Sequence, residues 1–115
     1  MIRIKKKIVT NNVDDEITIN YFVENDSHSL YNVIFSAERN FPDWLDIYVT
    51  VDCFSRTVFS VDIDETMICW NDDCVFNERS MEDDYYARKV FKNNLAFINE
   101  HFVELLKLMV EKWML

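Results

Sequence analysis

The chain has 115 residues, half of them hydrophobic and 15% aromatic, with a net charge of −9 and no glycine. That apolar content is enough for a core and excludes a disordered chain. The missing glycines exclude a phosphate-cradling P-loop and a dinucleotide-binding turn.

The charge is segregated. Residues 1–7 balance at +4, residues 8–84 at −15, and residues 85–115 at +2. No run of 18 or more apolar residues occurs, so no membrane helix is expected. The basic start is not followed by an apolar stretch of signal-peptide length. Cys53, Cys69 and Cys74 are an odd number, which fits reduced thiols better than a disulfide framework. The expected location is cytoplasmic, in one domain that is mainly β over 1–78 and mainly α over 80–114.

In chain order, Ile2, Ile4 and Ile8 alternate with Arg3, Lys5 and Lys7. Lys at these positions suits an edge strand, where it discourages pairing with another chain. A nucleic-acid-binding arm is the poorer reading, because the acidic body repels phosphate. Ile17, Ile19, Tyr21 and Val23 alternate with Glu16, Thr18, Asn20 and Glu24, interrupted by Phe22. Tyr31, Val33, Phe35 and Ala37 form a third strand, and Leu45, Ile47, Val49, Val51 and Cys53 a fourth. Thr57, Phe59, Val61 and Ile63 form a fifth. Period-two alternation with β-branched and aromatic residues is the signature of strands, and short connections favour an antiparallel meander. A further hairpin around Asn71-Asp72-Asp73 is expected. Tight turns that need positive φ must fall on Asn or Asp in a chain without glycine. Asn11-Asn12, Asn25-Asp26, Asn40 and Asn71-Asp72-Asp73 are the candidates.

The period changes after Ser80-Met81-Glu82-Asp83, which has the form of a capping box. Ala87, Phe91, Leu95, Ile98, Phe102, Leu105 and Met109 then recur at spacings of three and four. Leu106, Val110 and Trp113 widen the stripe. Asn93-Asn94 is where one long helix would divide into two. The expected fold is α+β: an antiparallel meander of about five strands, one face covered by one long or two shorter C-terminal helices.

Alternation places Glu16, Glu24, Asp46, Asp52 and Asp62 on the uncovered face. Asp72-Asp73 beside Trp70 forms a second acidic feature. Trp and Tyr next to carboxylates suit a binding hot spot for a cationic partner. The alternative is that Trp44 and Trp70 belong to the core and the acids are solvated. The partner-binding candidates are Asp46, Asp52, Asp62, Asp64, Trp70, Asp72 and Asp73.

Asp62-Ile63-Asp64-Glu65-Thr66 resembles the DxDxT motif of haloacid-dehalogenase-type phosphatases. That resemblance implies Asp62 as nucleophile, Asp64 as general acid and a nearby Mg²⁺. It covers five residues, mid-chain in a meander, whereas that fold carries its motif near the N-terminus on a parallel sheet. A charged strand end is the simpler expectation. Cys69 and Cys74 lack the ligand set of a zinc site, and no cofactor or metal is expected. The favoured function is a non-enzymatic inhibitor of a basic protein, most of all an immunity (antitoxin) protein against a nucleic-acid-cleaving toxin. The alternatives are a phage anti-defence inhibitor and a Mg²⁺-dependent hydrolase. No direct nucleic-acid or membrane contact is expected, and the chain should be a monomer or a weak homo-oligomer through Leu105 to Leu115.

Overall fold

The computed structural model describes residues 1–40, 44–62 and 85–114. Five strands form one antiparallel sheet: β1 (Arg3–Thr10), β2 (Glu16–Glu24), β3 (Leu30–Asn40), β4 (Trp44–Val51) and β5 (Phe54–Asp62). Their spatial order is β1-β2-β3-β4-β5, a plain meander. Helix α1 (Tyr85–Asn93) and helix α2 (Leu95–Met109) follow, and the chain closes with a π-helical turn over Val110–Met114. The arrangement is the expected α+β fold. The stretches 63–84 and 41–43, including the expected Asn71 hairpin and the Ser80 capping box, lie outside the described residues.

The alternation predicted for β2, β3 and β4 holds as far as Val51; Cys53, expected to continue the fourth strand, lies beyond its end and is exposed. Ile17, Ile19, Tyr21, Val23, Val33, Phe35, Ala37, Leu45, Ile47, Val49 and Val51 are all buried on one face. Helix α2 packs against β2 and β3 on that face and contributes Phe97, Ile98, Leu105 and Met109 to the same core. Phe91 of α1 joins them.

Strand β1 departs from simple alternation. Its register against β2 shifts between Ile4 and Lys6. A bulge moves the residues beyond it to opposite sides of the sheet. Ile4 therefore pairs with Val23 on the core side, while Ile8 pairs with Asn20 on the open side. The three isoleucines do not share a face. The shift also puts Lys7 opposite Tyr21, on the helix side. From there its ammonium donates to Glu104 Oε1 at 2.6 Å. The edge strand is thus fastened to α2 by a residue that simple alternation would have turned away.

The turns also differ from expectation. Val51 pairs with Phe54, so Asp52-Cys53 is a two-residue hairpin loop. Both residues have positive φ, 46° and 69°. That is the type I′ pattern, whose twist matches the flanking strands. The third positive-φ residue among those described is His28. Its loop is held by Asn25, whose Oδ1 accepts from the backbone of Ser27 and of Ser29, each at 3.0 Å. The chain therefore uses His and Cys, as well as Asp, where glycine is usual.

Asn94 separates the helices. Its φ and ψ are −111° and 8°, and its backbone N–H donates to Phe91 O at 3.0 Å rather than one residue further back. The Val90 carbonyl, deprived of that donor, instead accepts from the Asn94 side-chain Nδ2 at 2.8 Å. Asn94 Oδ1 accepts from the Tyr31 hydroxyl at 2.6 Å. The residue is only 5% exposed, so its amide joins α1, α2 and β3 inside the protein. Asn94→Leu leaves the Val90 carbonyl and the Tyr31 hydroxyl without these partners. The expected loss is about 2–3 kcal/mol, read as a lower urea midpoint with an unchanged m-value.

The C-terminal turn docks on the β1–β2 loop. Lys112 Nζ donates to the carbonyls of Val13 and Glu16, the latter at 3.0 Å. Trp113 Nε1 donates to Asp14 O at 3.1 Å.

Candidate partner-binding face

The helices cover one sheet face. On the other, cross-strand register orders the residues into rows. Glu16 lies opposite Glu38, and Glu38 opposite Asp46, so three carboxylates run side by side across β2, β3 and β4. Neighbouring strands lie about 4.8 Å apart, which sets the spacing between successive acids. The next row toward the β3–β4 connection pairs Asn40 with Trp44, and Trp44 with Asp62. The row on the other side holds Thr18, Ser36, Tyr48 and Thr57. Beyond it come Asn20, Ile34, Thr50 and Ser55.

Asp46 is held in place. Its Oδ1 accepts from Trp44 Nε1 at 3.1 Å, and its Oδ2 accepts from Asn40 Nδ2. These bonds fix the carboxylate and orient the indole, which stays 42% exposed. Glu16 and Glu38 have no ion-pair partner among the described residues. Burial raises the pKa of the Tyr48 hydroxyl above its usual value, and the charges of Asp46 and Glu38 add to the rise. The row therefore projects a negative field along the open face. Among the described residues no group of three or more His, Cys, Asp or Glu side chains could hold a metal ion.

The structure does not bring all of the sequence-derived residues together. Asp46 stands in the row. Asp62 ends β5 at the register position opposite Trp44. Asp64, Trp70, Asp72 and Asp73 lie outside the described residues, so the DxDxT stretch is described only at Asp62. Asp52 is not a strand residue of the open face, because the hairpin turns one position before it. It lines a cavity of about 390 Å³ at the other end of the sheet, with Tyr31, Asn94, Asp26 and Asn25. Burial raises the Tyr31 hydroxyl pKa, and the charge of Asp52 adds to the rise against the Asn94 hydrogen bond. Glu24 shares the open face but not the row. It lies eight residues along β2 from Glu16, about 26 Å at strand rise. There it accepts from Arg3 Nη2 at 2.7 Å, and this bond lowers its pKa.

One member of the site, Glu38, is absent from the sequence-derived candidates, and the place of another, Trp44, was open. Glu38 follows Ser36 at the next alternate position of the third strand, and extending the alternation by one step finds it. Trp44 stood equally between core and surface. Its place on the open face follows from parity with Asp46, two residues on.

No family model, curated protein or solved structure matches this chain. The geometry of the open face is therefore the ground for a functional reading.

Proposed function

We propose that this chain is an acidic binding protein that inhibits a basic partner through the open face of its sheet. The specific form we favour is an immunity protein that neutralises a nucleic-acid-cleaving toxin. The observation that carries this reading is the row Glu16–Glu38–Asp46 beside the exposed Trp44. A nuclease must present Arg and Lys to bind phosphates. Three carboxylates on a rigid sheet meet such a surface without the ordering loss of a flexible loop. An indole oriented next to them offers a flat surface on which a guanidinium stacks. The acids steer encounter, and the aromatic supplies the desolvated anchor.

The immobilised protein is expected to retain a basic nuclease from a panel of candidate toxins and to suppress its activity. The association rate should fall roughly tenfold or more between low salt and ~0.5 M salt. Asp46→Lys should weaken the complex while leaving the melting temperature within a few degrees. Binding that ignores both salt and the charge reversal would remove the electrostatic reading.

A further inference from the structure

Helix α2 is used on two of its sides. Ile98, Leu105 and Met109 face the core. On the flank toward β1, Glu104 accepts from Lys7 and from the Tyr21 hydroxyl. A third side carries Ala96, Asn99, Val103 and Leu106 and is continued by Val110 at the helix C-cap; Leu106 and Val110 are half-buried, and Leu106 also packs against the core. The spacing of these five residues, three, four, three and four, is the seam pattern of a two-helix coiled coil. Ala96, Asn99 and Val103 are exposed, Val103 at 49%. Val103, Leu106 and Val110 line a shallow groove of about 300 Å³, edged by Lys107 and Glu111.

The charges beside this seam are complementary to themselves. Glu100 and Lys107 are both exposed, seven residues apart, and each follows a seam residue (Asn99 and Leu106). They share the position that antiparallel helices use for ion pairs across the seam. Neither has an ion-pair partner among the described residues. The midpoint between them falls within one residue of the midpoint between Val103 and Leu106. A two-fold axis at that point sets Val103 against Leu106 of the second copy and Glu100 against Lys107 of the second copy, each twice. A parallel pair finds no such match, because the positions bordering the seam on its other side are Leu95, Phe102 and Met109.

We propose that this flank of α2 is a self-association surface, occupied by the α2 flank of a second copy in antiparallel, two-fold arrangement. Five small and medium side chains make a short seam, so the dimer is weak and concentration-dependent. The helices cover the face opposite the acidic row, so the dimer leaves both rows open. The proposal stands or falls independently of the inhibitor reading.

Sedimentation equilibrium of the full chain, from low micromolar to about millimolar concentration, should show reversible monomer–dimer exchange with a dissociation constant inside that range. Glu100→Lys or Lys107→Glu alone places like charges together twice and should weaken association about tenfold or more. The double swap E100K/K107E restores both pairs and should return the constant to within about threefold of the parent. All these positions are exposed, so melting temperatures should match the parent and serve as the folding control. A monomer at every concentration overturns the proposal. So do single reversals without effect, or a double swap that stays as weak as either single.

Discussion

Replacing Tyr21 with alanine is expected to lower the unfolding free energy by about 3–5 kcal/mol, the range for removing a buried ring. Tyr21 is 1% exposed. Its ring meets Phe35 at 5.7 Å and Phe97 at 5.4 Å, both edge-on, and His101 at 5.1 Å. These contacts span β2, β3 and α2, so the cavity opens where the helix sits on the sheet. Tyr21→Phe keeps the ring and removes only the hydroxyl, which donates to Glu104 Oε2 at 2.7 Å. Its expected loss is about 1–2 kcal/mol, because the partner is a carboxylate. The gap between the two variants in urea melts separates packing from the hydrogen bond. Equal losses would mean that the ring contacts contribute nothing beyond the hydroxyl.

The same contact predicts the direction of a pH effect. The hydrogen bonds from Lys7 and then from Tyr21 hold Glu104 below its ordinary value of 4.5. A carboxylate depressed in the folded state stabilises fully above its unfolded pKa, and that contribution disappears as pH falls through the folded value. Tyr21 runs the other way. Burial raises its hydroxyl pKa first, and the hydrogen bond and charge of Glu104 add to the rise. Its contribution is complete below the unfolded value of 10.0 and is lost as pH climbs beyond it. In Glu104→Gln the loss of stability as pH falls below 4.5 should be shallower than in the parent. The lost carboxylate should also lower stability at neutral pH.

The sheet was legible because burial on one face imposes a period of two, which a sequence displays directly. Ile17, Ile19, Tyr21 and Val23 show it, and all are buried. The β1 register was not legible. A bulge changes the face of each residue beyond it without changing composition, and the ion pair that rewards the shift lies 97 positions away at Glu104. Turn chemistry was half legible. Without glycine, positive φ had to fall on other residues, but Asp52-Cys53 was chosen by hairpin length, and Cys has no local preference to reveal it. The helix break at Asn94 was visible as a polar pair in an apolar stripe. Its cause, the amide that serves Val90 and Tyr31 together, needs the tertiary fold. The acidic row shows the same division. Parity places each acid on the open face, whereas only cross-strand register shows that Glu16, Glu38 and Asp46 are abreast while Glu24 and Asp52 are far off.

Neutralising that row should move stability and binding in opposite directions. Like charges directly opposed on neighbouring strands are destabilising, by roughly 0.2–1 kcal/mol for each pair. Glu38 opposes Glu16 on one side and Asp46 on the other, so it takes part in both repulsive pairs. Glu38→Gln is therefore expected to raise the unfolding free energy by about 0.5–1.5 kcal/mol. The gain should shrink as salt screens the parent's repulsion. The same substitution removes the central charge from the face that meets a cationic partner, and should weaken that complex about tenfold or more. A residue with a purely structural role would lower stability when changed and alter binding only through unfolding. Tyr48 gives a readout that needs no partner. Glu38 and Asp46 both help to raise its hydroxyl pKa, so an NMR titration of Glu38→Gln should find it lower than in the parent. Burial, the larger cause, keeps it above the ordinary value. A more stable Glu38→Gln with an earlier-titrating Tyr48 and weaker binding would establish that the row is held against its own repulsion for the sake of a partner. A less stable one would show instead that Glu38 is part of the scaffold.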